Sequence, residues 1–140
     1  GMYLSNGNPT EAVDVMHYCW KGYWPQKRAP SIQEIFLNGK NWKANHTFSK
    51  NDEIELSYLI DKYNNEEVYL NFEIYPETFS TQQGGDYQKS PDKIDFEIIA
   101  QSSNKLVLKA PRKNGAYRIF VFANNIHDQY SVANIPFKID

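Results

Sequence analysis

Beyond Pro30 the apolar residues recur at every second position, and this rhythm commits most of the chain to β-strands. Ile54, Leu56, Tyr58 and Ile60 alternate with Glu55 and Ser57. Val68, Leu70, Phe72 and Ile74 alternate with Tyr69, Asn71, Glu73 and Tyr75. Leu106, Leu108 and Ala110 follow the same rule, and Ala133, Ile135, Phe137 and Ile139 close the series. Tyr117–Ala123 is apolar on both faces apart from Arg118, as a central strand requires. Pro136 has no N–H to donate, so the last strand should lie at an edge there. Ile35 and Leu37 precede Asn38–Gly39, the dipeptide that most favours a two-residue type I′ turn. Short alternating runs separated by Asn, Asp, Gly and Pro predict an all-β, immunoglobulin-like antiparallel β-sandwich of seven or so strands. Gln82-Gln83-Gly84-Gly85-Asp86 falls in a long loop, Phe79–Pro91, and Asp61–Glu67 form a polar turn.

Before Pro25 the period is helical instead. Thr10 is placed to cap a short N-terminal helix, Glu11 and Asp14 suit the positive end of its dipole, and Gly22 suits its stop. Ala12, Val13, Val15, Met16, Cys19 and Trp20 leave this helix apolar over most of its circumference. Such a helix needs cover on several sides, more than one small sandwich supplies. The chain therefore divides into residues 1–24, a helix and linker that lack a neighbour (the end of an upstream catalytic domain, by the resemblance given below), and residues 25–140, the sandwich.

Composition narrows the functional classes. The 140 residues hold 15 Lys+Arg against 17 Asp+Glu, a net charge of −2, which lacks the basic face of a nucleic-acid module. No apolar run approaches the ~18 residues of a membrane span. The single cysteine, Cys19, excludes an internal disulfide and a multi-cysteine zinc site. His17, His46 and His127 have no metal-ligand spacing, so no metal and no cofactor are expected. Asn45-His46-Thr47 matches the glycosylation sequon, which matters only in a eukaryotic secretory chain. No G-x-S-x-G elbow is present. Glu73 with Glu77, and Asp95 with Glu97, are acids at strand-like positions with nothing to mark them as a hydrolytic pair. No catalytic residue is assigned, and the chain by itself is expected not to be an enzyme. Residues 1–24 have neither a basic n-region nor a continuous apolar h-region, so no signal peptide is read there.

Aromatic residues are the loudest signal, with ten Tyr, eight Phe and three Trp. Those on alternating strands belong to a core. Trp20, Tyr23, Trp24, Trp42, Tyr63 and Tyr87 fall in helix, linker or turn contexts and need another explanation. Val13, Met16, Trp20, Tyr23 and Trp24 are expected to form one apolar interface toward a neighbouring domain, or toward a second copy in a homodimer. Trp42, Tyr63 and Tyr87 are the candidates for glycan contact.

The run from Pro9 to Pro30, with Trp24-Pro25-Gln26-Lys27-Arg28-Ala29-Pro30 at its end, resembles a junction in large Bacteroides-type glycoside hydrolases. There the last helix of a (β/α)₈ barrel passes through a W-P-x-x-R-A-P linker into a C-terminal immunoglobulin-like accessory domain. The Asn38–Gly39 turn, Gly115-Ala116-Tyr117-Arg118 and Ala133-Asn134-Ile135-Pro136-Phe137 are similar to that domain. Tyr117 after Gly115 also has the position of a tyrosine corner. The family often carries an acidic D-P-D-G-D-type turn, from which Asp61-Lys62-Tyr63-Asn64-Asn65 departs. The resemblance implies a non-catalytic accessory sandwich that docks on and stabilises a glycoside hydrolase domain in the periplasm or outside the cell. A carbohydrate-binding module is the alternative.

Overall fold

The computed structural model describes residues 2–63, 67–77 and 92–140. The whole of the expected Phe79–Pro91 loop, Tyr87 included, and the centre of the Asp61–Glu67 turn lie outside the described residues. The fold is all-β, an immunoglobulin-like sandwich with one short helix, α1 (Glu11–Lys21). Eight strands follow: β1 (Ser31–Leu37), β2 (Thr47–Phe48), β3 (Glu53–Asp61), β4 (Tyr69–Pro76), β5 (Ile98–Gln101), β6 (Lys105–Lys109), β7 (Gly115–Asn124) and β8 (Tyr130–Ile139). They form two four-stranded sheets, ordered β1-β3-β6-β5 and β2-β8-β7-β4.

Alternation becomes burial in the strands that were read from it. Ile54, Leu56 and Tyr58 of β3, Leu106 and Leu108 of β6, and Ile135, Phe137 and Ile139 of β8 are all buried. Tyr117, Ile119, Val121 and Ala123 point inward from β7, which lies inside its sheet as the two-faced apolar pattern requires. Strands β3 and β6 run antiparallel with Leu56 opposite Leu106, and β5 joins β6 antiparallel through a bulge at Ile98/Ala100. One pairing departs from the antiparallel expectation: β2 runs parallel to β8, Thr47 opposite Lys138 and Phe48 opposite Ile139. That register starts only beyond Pro136, so β2 pairs where β8 has N–H groups to give, and the proline stands on a stretch that β2 does not cover.

Turn chemistry follows the residue types. Asn38 and Gly39 both have positive φ, 47° and 78°, and Leu37 and Lys40 exchange two backbone hydrogen bonds across them. The Asn38 side chain also accepts the Glu55 N–H at 2.8 Å. The Tyr117 hydroxyl donates to the Lys113 carbonyl at 2.8 Å, which closes a tyrosine corner. Replacing Tyr117 by Phe should cost about 0.5–1.5 kcal/mol in chemical denaturation, the net worth of one such bond, with the fold retained. A loss under 0.2 kcal/mol, read on the same ~1 kcal/mol scale, would show that the corner contributes nothing.

Contacts gather the chain into two compact units. The first comprises Gly1–Ile35, Tyr58–Phe72 and Phe120–Ala133, with Ala29, Pro30, Ile35, Tyr58, Val121 and Ala123 buried. The second comprises Phe36–Ser57, Glu73–Ile119 and Asn134–Asp140, with Leu37, Ile54, Leu56, Ile74, Leu106, Leu108 and Ile119 among its core.

Candidate functional site: an inverted helix and its aromatic linker

Helix α1 lies in the first unit. Gly22 ends it in the left-handed conformation, φ 78°, and donates its N–H to the Tyr18 carbonyl. Thr10 occupies the N-cap position, but its hydroxyl gives no capping bond. It donates instead to the Met2 carbonyl at 2.9 Å, and the Tyr130 N–H bonds the Pro9 carbonyl. The helix start is therefore pinned by its flanking backbone.

An α-helix turns by about 100° per residue, which sorts the eleven side chains of α1 into two arcs. Glu11, Asp14, His17, Tyr18 and Lys21 occupy one side. Ala12, Val13, Val15, Met16, Cys19 and Trp20 occupy the other, with no charged or strongly polar residue among them. Glu11, Asp14 and His17 on the polar side face the protein, while Tyr18 and Lys21 are exposed. Asp14 is the one buried residue of the helix, and its Oδ2 accepts the Ala29 N–H at 2.7 Å. Ser131 Oγ donates to Glu11 Oε1 at 3.1 Å, and His17 Nδ1 lies 3.0 Å from the Tyr23 carbonyl oxygen. The apolar side is the less covered: Val15, Cys19 and Trp20 are exposed, Trp20 at 78%, while Ala12, Val13 and Met16 are half-buried. A surface helix ordinarily does the reverse.

Burial pushes the Asp14 carboxyl above the ordinary carboxylate range, against the opposing pull of the Ala29 N–H and the nearby Arg28 charge. A raised folded-state pKa means that the native protein binds this proton more readily than the unfolded chain. Ionisation at Asp14 therefore opposes folding above that pKa, and the penalty disappears as pH falls toward the unfolded value near 3.8. Asp14→Asn keeps an oxygen acceptor without the charge. Its stability relative to the native protein should be highest at neutral pH and decline as pH falls through that window. Asp14→Ala orphans the buried Ala29 N–H and should cost about 1–3 kcal/mol. A pH-independent difference between native and Asn forms would refute the assignment.

The linker is built into the same unit. The Arg28 guanidinium carbon lies 3.8 Å from the Trp24 ring centroid and 3.7 Å from that of Tyr63, so the cation is held between two aromatic faces. Trp24 also stacks on Tyr18 with centroids 4.6 Å apart. Arg28 Nε is buried with no hydrogen-bond partner, and the π-faces are the compensation left to it. Asn125 Nδ2 donates to the Arg28 carbonyl and Gln129 Nε2 to the Lys27 carbonyl. Asn125 Oδ1 in turn takes the His127 and Gln129 N–H groups, which fixes that turn. Replacing Arg28 by Ala should cost about 1–3 kcal/mol, two cation–π contacts at partly covered rings, and should redshift Trp24 emission. An unchanged spectrum and denaturation curve would refute the stack.

The residues expected at an interface are therefore divided. Val13, Met16 and Trp20 share about 60° of helix arc. Tyr23 turns its edge to His17, 5.4 Å between centroids. Trp24 lies with Tyr18 and Arg28 on the other side. Of the glycan candidates, Tyr63 belongs to the first unit, with Arg28 on its face, and Trp42 to the second, 64% exposed. Tyr87 lies outside the described residues. Among the described residues no three His, Cys, Asp or Glu side chains gather as a metal site needs, and no helix is long and apolar enough to cross a membrane. Residues absent from the sequence reading, Glu11, Asp14, Arg28, Asn125 and Ser131 as anchors, are joined across 15 to 120 positions. Only the acids at the helix start carried a local signal.

No protein-family model matches the chain, and no curated protein does. Among solved structures it is similar to PcoC, a methionine-rich copper resistance protein from Escherichia coli, at 14% identity and a TM-score of 0.45 over 79% of this chain and 98% of that one. It is similar to a DUF4784 family protein from Bacteroides caccae at 14% identity and a TM-score of 0.40. That match covers 77% of this chain and 24% of the other. Murine CRIg gives 7% identity and a TM-score of 0.39 over 79% of this chain and 95% of its own.

Proposed function

We propose that the chain is a non-catalytic accessory sandwich that docks through the outer arc of α1 on the catalytic domain of a carbohydrate-active enzyme, a glycoside hydrolase, and holds that domain in a fixed orientation. The observation that carries this reading is the inversion of the helix. Glu11, Asp14 and His17 are spent on its own unit, and the exposed Val15, Cys19 and Trp20, with the uncovered parts of Ala12 and Met16, are left for something else. Full burial of a side chain such as Val or Met is worth about 1.5–3 kcal/mol, so this arc forgoes several kcal/mol unless a neighbour covers it. The hydrogen bonds to Lys27, Arg28 and Ala29 support a rigid mount, because they hold the linker that would otherwise let the helix swing. The resemblance of Pro9–Pro30 to a barrel-to-sandwich junction supplies the catalytic partner.

The test uses acrylamide quenching of tryptophan in the 140-residue chain and in a polypeptide that also carries the upstream catalytic domain. Trp20 should be freely quenched in the first and protected in the second, with Trp24 nearly unchanged. Equal quenching of Trp20 in both would overturn the docking. The 140-residue chain should leave aryl-glycosides intact, and turnover lost on replacing Glu73 or Glu97 would overturn the non-catalytic reading. The exposure of Trp42 favours the second reading, a carbohydrate-binding module, which would require Trp42→Ala to abolish glycan retention.

A further inference from the structure

We infer that the second unit carries a binding groove for an acidic sugar, a hexuronate residue of an oligosaccharide. The groove, of about 550 Å³, lies between the turn after β6, the segment before β5 and the turn before β3. Its size is that of a small-ligand site. The floor is apolar: half-buried Ile94 and Phe96, buried Pro111, and the edge of Tyr117. The rim is charged. Glu97 and Lys109 pair with each other at 3.7 Å. Asp95 remains on one side and Arg112 with Lys113 on the other, all exposed.

Three features of a hexuronate meet three features of the groove. The C–H face of a pyranose lies on an aromatic and proline floor. Its hydroxyls donate to the Asp95 carboxylate. Its own carboxylate accepts charge-assisted hydrogen bonds from Arg112 and Lys113, which pair with no carboxylate among the described residues. Two adjacent cations with no carboxylate partner among the described residues, beside an apolar floor in a chain of net charge −2, have the sign of an anionic ligand. The backbone that carries the cations is held in place, although their side chains are exposed. The Tyr117 hydroxyl ties down the Lys113 carbonyl at 2.8 Å, and the Ala110 N–H bonds the Asp52 carbonyl at 2.7 Å. The ligand would therefore meet a turn that is already ordered, which lowers the cost of binding. This inference stands apart from the docking of α1, whose residues belong to the other unit.

Calorimetric titration of the 140-residue chain with tetragalacturonate tests it, with cellotetraose as the neutral arm and inorganic phosphate as the bare-anion arm. Tetragalacturonate should bind saturably with a dissociation constant of about 1 mM or tighter, and at least about tenfold more tightly than either control. Arg112→Ala with Lys113→Ala should weaken it about ten- to a hundredfold, the worth of hydrogen bonds to a charged group, with an unchanged melting temperature. Phe96→Ala should weaken it as well, whereas Trp20→Asp should leave it unaltered. Absence of saturable binding, equal affinity for cellotetraose, or equal affinity for phosphate would each overturn the proposal.

Discussion

Leu56→Ala should lower the unfolding free energy by about 2–5 kcal/mol, a third or more of what holds a domain of ordinary stability together. Leu56 is 0% exposed and faces Leu106, equally buried, across the β3–β6 pair. Truncation removes three carbons from a site whose neighbours Ile54, Leu106 and Leu108 are carried on paired strands and cannot close in on the space. The loss is then the transfer free energy of the deleted atoms plus that of the cavity. Leu59, three positions along the same strand, is 54% exposed, and its alanine variant should stay within about 0.5 kcal/mol of the native protein. Urea denaturation of the two variants makes the comparison, with the slope unchanged and the midpoint moved only for Leu56. A loss below 1 kcal/mol at Leu56, well under the ~2 kcal/mol floor of such truncations, would mean that the strand does not pack as described.

That contrast shows which part of the fold was legible from residue order. Strands β3, β6, β7 and β8 each bury one face and leave the other less covered, so side chains alternate and the period is written in the text. Strands β2 and β5 left no such mark. Two residues cannot show a period, and every residue of β5 is exposed, with Ile98 and Ile99 adjacent rather than alternating. The short, bulged β5 is protected at its edge by irregularity, which also erases its signature. The parallel pairing of β2 with β8 depends on residues 91 positions apart and has no local cue.

The helix shows the same boundary between local and distant causes. Its limits followed from Thr10 and Gly22, and its apolar character from composition. The direction in which its apolar arc points depends on Ala29 and Ser131, which donate the hydrogen bonds that hold Asp14 and Glu11 inward. A sequence read along its length cannot say which arc its own domain will take. The linker stack is similar: Arg28 is four residues from Trp24 but thirty-five from Tyr63, and only the folded chain brings the second ring to the guanidinium. The interface aromatics were assigned by sequence context, and the fold places Trp24 with Tyr18 and Arg28 rather than on the arc of Trp20.

The outward arc of α1 yields the second large effect. In the 140-residue chain, whatever would cover this arc elsewhere is absent, and a second copy is the apolar surface at hand. Sedimentation equilibrium should show self-association that strengthens with concentration, because several exposed apolar side chains on one helix exceed the scattered exposure of a monomeric protein. Trp20 stands on one flank of that surface and is its largest and most exposed side chain. Tryptophans buried at interfaces commonly account for about 2 kcal/mol or more, so Trp20→Asp should weaken association about thirtyfold or further. The variant should remain folded, since an exposed position with no inward contact changes stability by only about 0.5 kcal/mol. Two measurements thus separate the arc from the fold: the association constant falls while the melting temperature holds. Val15→Asp, on the other flank of the same arc, should do likewise to a lesser degree. Wild-type protein that stays monomeric up to about millimolar concentration, the weakest association the arithmetic of affinity usefully resolves, would remove the dimer from consideration. Loss of the native melting transition in Trp20→Asp would show that the tryptophan belongs to the domain's own core, and the inverted helix would lose its meaning as a docking surface.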